Sequence, residues 1–214
     1  MKNFYYLIGN HVLSTITNMT VWFGVIFYVF LESRSVFATS MISGLFLLFT
    51  AVSGFWFGSL VDHHKKKEVM MGSSIFSLIC FAVAYVVYQV APVSAFAHVE
   101  SWYLWMFVIT LLFGVIAGNI RNVALPTLVS LLVPESERDK ANGLVGTASG
   151  SGFMVTSVIS GYLVGAAGMS WVLLLGVVAT VLTIIHLSRI VIDEVKNVHL
   201  EGGTPKIDIR GTLA

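Results

Sequence analysis

The feature of this sequence that most constrains its fold is the length of its uncharged runs. The first hundred residues contain three such runs, of 29, 27 and 31 residues, at positions 3–31, 35–61 and 69–99. A helix that crosses the hydrocarbon core of a bilayer needs about 20 apolar residues, so each run can hold one crossing. Charged residues make up only 11% of the chain, against roughly 25% in soluble domains. The chain is therefore predicted to be a membrane protein.

The same count over the rest of the chain predicts six crossings. After Glu100, a further long apolar stretch is interrupted by Arg121 alone. The apolar stretch after residue 141 is long enough for two helices, which we expect to be joined near residues 165–171. The predicted spans are residues 5–31, 36–61, 69–90, 102–133, 142–164 and 171–192. The predicted fold class is all-α, with a six-helix bundle over residues 1–192 and a cytoplasmic linker or truncated tail over residues 193–214.

Lysine and arginine are distributed unevenly between the two sides of these spans. If the amino terminus is cytoplasmic, ten of the 12 fall on the cytoplasmic side, Arg34 falls outside and Arg121 lies within a span. Positive residues in short loops stay in the cytoplasm, so we expect a multi-pass protein of the cell membrane with both termini cytoplasmic. The net charge of +1 excludes a basic surface for nucleic acid, and the lone Cys80 excludes an internal disulfide.

The two halves of the predicted bundle resemble each other. A shift of 103 residues aligns residues 58–61 with residues 161–164 and places the first three spans on the last three. Because three crossings separate the copies, the second copy is inverted in the membrane. Inverted three-helix repeats are typical of secondary transporters, whose substrate site lies near the midplane. The repeats are predicted at about residues 1–92 and 101–192.

The shift also aligns Arg121 with Asn18, and both lie near the middle of their spans. A charge at that depth costs about 2.5–3.5 kcal/mol on insertion scales, so it normally faces a cavity or a partner. We predict that Arg121 holds an anionic substrate group or biases a neighbouring proton site. The alternative is that it extends to headgroups or bonds carbonyls freed by Pro126. The other predicted substrate-binding residues are Asn18, Asn122 and His11, with Asn10 and Asn119 as further candidates.

The loop after the second span carries a motif. The sequence GSLVDHHKKK, from Gly58 to Lys67, resembles the signature loop of the major facilitator superfamily, Gly-x-Leu-Ala-Asp-Arg-x-Gly-Arg-Lys. The resemblance implies half of a major facilitator fold, and a latch in which the acid caps a helix and pairs with basic groups. The alternative is a basic loop that only sets topology. The matching residues are Gly58, Leu60, Asp62, Lys66 (by charge) and Lys67.

A second segment resembles one branch of that superfamily. Residues 124–129, 134 and 138–143 are similar to the helix 4–5 region of macrolide-efflux-like and siderophore-exporter-like permeases. The resemblance implies a secondary transporter that exports an amphipathic or drug-like small molecule and uses no cofactor or metal. The fifth span keeps the spacing of the family's antiport motif at Gly152, Ser157 and Gly161 but lacks its proline, which leaves proton coupling open.

Family members have two six-helix halves, so we expect this chain to be an amino-terminal half that works with a second half on the same or a separate chain. The alternatives are a homodimer of halves, a fragment and a half that does not transport. A different alternative is an intramembrane serine protease with Ser149 or Ser151 as nucleophile and His186 as base. Neither serine satisfies the Gly-x-Ser-Gly pattern of such enzymes.

Overall fold

The computed structural model describes residues 2–192, and the predicted tail at 193–214 lies outside this part. The described residues form seven α-helices and no strand, with a 3-10 turn before α4 and another before α6. These helices provide six spans long and apolar enough to cross a bilayer, which confirms the predicted fold class. The helices are α1 Lys2–Ser33, α2 Val36–His63, α3 Lys66–Val90, α4 Trp102–Gly118, α5 Ile120–Leu132, α6 Arg138–Ala167 and α7 Met169–Arg189.

The fourth span differs from the single helix predicted over residues 102–133. It is interrupted at Asn119, where the backbone N–H bonds to the carbonyl of Ile116, three residues earlier, over 3.0 Å. This tighter turn ends α4, and α5 begins at once. Pro126 lies inside α5 and removes the intrahelical donor for the carbonyl of Asn122. The break places the start of α5, including Arg121, deep in the bundle.

The link between α6 and α7 is also shorter than predicted. The sequence suggests a turn near residues 165–171, whereas α6 continues to Ala167 and a single residue, Gly168, joins it to α7. Gly168 has a φ of 83°, a conformation that glycine adopts without steric cost. The two helices are thereby held close together over their adjoining ends.

Several helices approach one another closely at glycines. A Cβ atom added at Gly114 of α4 would lie 2.8 Å from Cε1 of Phe81 in α3, and one added at Gly176 of α7 would lie 2.7 Å from Cγ2 of Val21 in α1. Small residues let helix backbones approach in a membrane, where packing rather than the hydrophobic effect drives association. The interior is built from these helices together with α5, six of whose residues are buried.

The other two long helices, α2 and α6, lie at the periphery. Their apolar side chains are largely uncovered, with Phe37 of α2 and Val158 of α6 each 74% exposed. An apolar surface of this extent suits contact with lipid or with further helices. The polar side chains described next lie instead in the interior.

Candidate functional site

Arg121 is buried at the second position of α5, with 2% of its surface exposed. Its Nη1 donates to Oδ1 of Asn10 in α1 over 2.6 Å, and its Nη2 donates to Oγ of Ser74 in α3 over 2.5 Å. Its Nε is buried, and no described residue accepts a hydrogen bond from it. The guanidinium therefore joins three helices and reaches neither the headgroups nor the carbonyls freed by Pro126.

Asn10 extends these contacts to α7. Its Nδ2 donates to the carbonyl of Thr183 over 2.9 Å and lies 3.2 Å from Nδ1 of His186. Four helices therefore meet in one set of hydrogen bonds, which we call the Arg121 network. Its members are Arg121, Asn10, Ser74, Thr183 and His186. Asn10 was a sequence candidate, but nothing in the sequence distinguishes Ser74 and Thr183 from other hydroxyl residues in the spans.

Asn18 lies at the break between α4 and α5. Its Nδ2 donates to the carbonyl of Val115 over 2.8 Å and to Oδ1 of Asn119 over 3.4 Å. A Cβ atom at Gly118 would lie 2.7 Å from the same Nδ2, so a glycine is needed for the amide to fit. The side chain of Asn18 thus replaces, for one carbonyl, the helical hydrogen bond that the break removes.

Asn18 and Arg121 border one small cavity of about 20 Å³ between α1 and the α4–α5 break. Asn122 is exposed beside it, and Asn119 is half-buried. The structure thus brings together three of the four predicted substrate-binding residues. The cavity is lined by Ser14, Thr15, Asn18, Met19, Gly118, Asn119, Arg121 and Asn122.

The fourth predicted residue, His11, does not line this cavity. It is buried where α1 meets α6, with Nε2 lying 2.9 Å from Oγ of Ser149 and 3.5 Å from Oγ1 of Thr15. Its Nδ1 is buried without a partner among the described residues. His186, the base of the protease alternative, bonds to Asn10, and no hydrogen bond within residues 2–192 joins it to a serine.

The electrostatic surroundings of Arg121 are unusual for a buried charge. The sequence places no Asp or Glu within residues 3–31, 36–61, 69–90, 102–132 or 141–189. Both side-chain partners of the guanidinium, Asn10 and Ser74, are neutral. Within the described part of the chain, no group of His, Cys, Asp and Glu could hold a metal ion. The polar layer, by which we mean the Arg121 network and the side chains that line the cavity, is therefore cationic.

The signature-like loop, Gly58 to Lys67, includes the end of α2 and the start of α3, and it contacts the end of α7. Nζ of Lys67 donates to the carbonyl of Ser188 over 3.2 Å and to that of Ile190 over 2.6 Å. A cation is favoured at the carbonyl end of a helix. Asp62 is exposed, and no side chain caps the first turn of α3. Asp62 therefore does not cap α3, and Lys67 makes the contact between α3 and α7.

Residues 7–209 match the family model described as Major Facilitator Superfamily. The chain belongs to this superfamily. The match confirms the family that the loop motif indicated, and this is a family of transporters rather than enzymes.

Two curated relatives match this chain equally well. They are Macrolide efflux protein A of Streptococcus pyogenes and the protein of the same name from serotype M6 of that species, each 26% identical over 181 residues. The match covers 84% of this chain but 42% of each relative, so the chain spans less than half of their length. No solved structure matches it.

The predicted antiport-motif residues of the superfamily lie on α6. A Cβ atom at Gly152 would lie 3.6 Å from Cγ2 of Thr15, and one at Gly161 would lie 3.6 Å from Cε2 of Phe27. Both glycines therefore face α1 at ordinary packing distance. Ser157 donates to the carbonyl of Met154 within its own helix over 2.9 Å. The motif thus supplies close packing of α6 on α1.

Proposed function

We propose that this chain is one half of an exporter of the cell membrane, which moves an amphipathic or drug-like molecule by alternating access. The observation that carries the proposal is the meeting of Arg121, Asn18 and Asn122 beside one cavity of the bundle. Intramembrane polar and charged residues of this kind usually mark a transport pathway. The name of the streptococcal relatives supports export as the direction.

One edge of the polar layer reaches the surface of the half. Asn122 is exposed, and Ser14, Thr15 and Asn119 are half-buried. A complete transporter holds its substrate between two halves, so this edge is where a substrate would contact the half described here. In the proposal, Asn18 and Asn122 orient the substrate, and Arg121 provides a positive charge next to it. His11 links the site to α6.

The peripheral helices support a second half as the partner. Cβ atoms added to several glycines of α2 and α6 would meet nothing within 4 Å, so the surface of these helices is open and locally flat. Small residues on a helix surface permit close approach by another helix in a membrane. The open glycines are Gly44, Gly54 and Gly58 in α2, and Gly143, Gly146, Gly150 and Gly165 in α6.

The signature-like loop is the proposed gate on the cytoplasmic side, where the basic residues place it. Lys67 binds two carbonyls at the end of α7, and separation of α3 from α7 on that side would break both bonds. Gly58, Asp62 and Lys66 belong to the same proposed latch. Both termini are then cytoplasmic, with residues 193–214 serving as the linker to the second half.

A chimera tests the proposal. The full chain would be joined to the part of Macrolide efflux protein A of S. pyogenes that it does not match, and the accumulation of a radiolabelled macrolide would be measured in cells. We expect less accumulation with the chimera than with that part alone, and restored accumulation with Arg121→Gln. Arg189→Gln, at the exposed end of α7, is the matched control and should still export.

Two outcomes would count against this proposal. A chimera that reaches the membrane in normal amount but leaves accumulation unchanged would contradict export. Equal export by this chain without any added half would contradict the need for a second half and would favour a homodimer.

A further inference from the structure

We propose that the Arg121 guanidinium holds a compact monovalent anion in the small cavity that it lines. The anion is either a free halide or the carboxylate of a bound substrate, which share the chemistry of a single small negative group. This inference rests on the proposed function and deepens it, because the cavity adjoins the edge where a substrate would contact this half.

The first reason is the unbalanced charge. Arg121 is 2% exposed, its two bonded side chains are neutral, and the described spans contain no carboxylate in their interior. Buried charges in proteins are normally paired, because an isolated ion in a low dielectric is costly. A guanidinium at this depth therefore requires an anion that these residues do not provide.

The second reason is the geometry of the unused donors. Arginine has five N–H donors in a fixed plane. Nη1 and Nη2 each bond one side chain, whereas Nε is buried without an acceptor. An unsatisfied buried donor is itself unfavourable by about 1–3 kcal/mol, and more on a charged group. An anion beside Nε would satisfy the donor and balance the charge together.

The third reason is the composition and size of the cavity. Its volume of about 20 Å³ exceeds the roughly 10–15 Å³ that one water needs, so it accepts a single small group. Ser14 and Asn122 line it, and within residues 2–192 their side chains form no hydrogen bond, which leaves a hydroxyl and an amide as further donors. A cation would be repelled by Arg121, and a bulky anion would not enter.

The experiment measures the melting temperature of the purified full chain in detergent at one ionic strength, in sodium gluconate, sodium chloride or sodium acetate. We expect the melting temperature to be higher by about 2–4 °C in chloride or acetate than in gluconate, with a saturable dependence on concentration. A response to chloride identifies a free halide as the ligand, and a response to acetate alone identifies a carboxylate.

Three variants make the test specific. Arg121→Gln removes the charge and should abolish the salt response. Gly118→Ala should weaken it, since the added methyl group would push the Asn18 amide into the cavity. Arg189→Gln, a matched loss of an exposed arginine, should retain it. Equal melting temperatures of the unmodified chain in the three salts, or a full response in Arg121→Gln, would overturn the proposal.

Two features of the experiment keep its result independent of misfolding of Arg121→Gln and of failure of the chimera. If Arg121→Gln does not fold, binding can be measured directly from the chloride NMR line. We expect the unmodified chain to broaden this line and Gly118→Ala to broaden it less. The test also needs neither a second half nor transport. Failure of the chimera to export would therefore leave anion binding standing, and absence of anion binding would leave export standing.

Discussion

The Arg121 network and the loop between α2 and α3 both contain basic side chains, but they differ in what surrounds them. Arg121 is 2% exposed and bonds side chains from two other helices. Lys65 of the loop forms an ion pair of 3.2 Å with Glu68 in the first turn of α3, with side chains 51% and 66% exposed. Exposed pairs contribute little because water screens them, whereas removal of one partner of a buried charge is costly. Burial therefore determines how much each cation contributes to the free energy of unfolding.

The two regions also differ in what they connect. The Arg121 network joins α1, α3, α5 and α7 through the interior, and its bonds can break only if helices move apart. The loop contacts the end of α7 through Lys67, and these bonds are exposed or partly exposed, so water can replace them. The interior network is thus expected to set stability, and the loop to set which end of the bundle opens.

The largest effect is expected from Asn10→Ala. This change removes the acceptor of Arg121 and the donor to Thr183, and leaves a buried charge with one partner fewer. We expect a loss of about 3 kcal/mol in the free energy of unfolding, measured by denaturation of the purified chain in detergent. Asn142→Ala, on the exposed start of α6, is the control. A loss below about 1 kcal/mol would show that the network is not a major source of stability.

The second-largest effect is expected from Gly114→Ala, which tests the packing around the network. In Gly114→Ala, the new methyl group would lie 2.8 Å from Phe81 and 2.9 Å from Cys80, which forces α3 and α4 apart. Overpacking of this kind costs about 1–3 kcal/mol. Gly72→Ala, in α3, meets nothing within 4 Å and should leave stability unchanged or slightly raised. Similar unfolding curves for the two variants would contradict the close contact of α3 and α4.

A smaller effect is expected from Ser149→Ala. This serine bonds His11 across the contact of α1 and α6, and interhelical hydrogen bonds in membranes are worth about 0.6 kcal/mol on average and up to roughly 1.7. We expect a loss of about 1 kcal/mol. Ser151→Ala is a matched control, because its hydroxyl bonds only carbonyls of its own helix. Equal losses in the two variants would show that the bond to His11 contributes nothing.

The smallest effect is expected from Lys65→Gln in the loop. Its ion pair with Glu68 is exposed, so we expect a change within about 0.5 kcal/mol, further reduced at high salt. The measurement compares unfolding of the two chains at low and high ionic strength. A loss as large as that of Asn10→Ala would remove the distinction between the buried network and the loop.

The sequence predicted that Arg121 faces a cavity or a partner and that Asn18 lines the same cavity, because a charge in a long apolar run is costly without such surroundings. It did not predict the roles of Ser74 and Thr183. Hydroxyl residues are common in membrane helices, and only the rotation of each helix decides which of them faces a partner. The break at Asn119 was missed for a related reason, since asparagine is compatible with a continuous helix.

The sequence by itself determined the six apolar spans and the family, because the length of an apolar run and a short motif are local properties of the chain. Only the tertiary structure decided that Arg121 bonds Asn10 and Ser74, lines a small cavity and has no partner for its Nε among the described residues. These partners lie 111 and 47 residues away along the chain. Their meeting depends on helix rotation, tilt and close approach at glycines, which side-chain packing determines collectively.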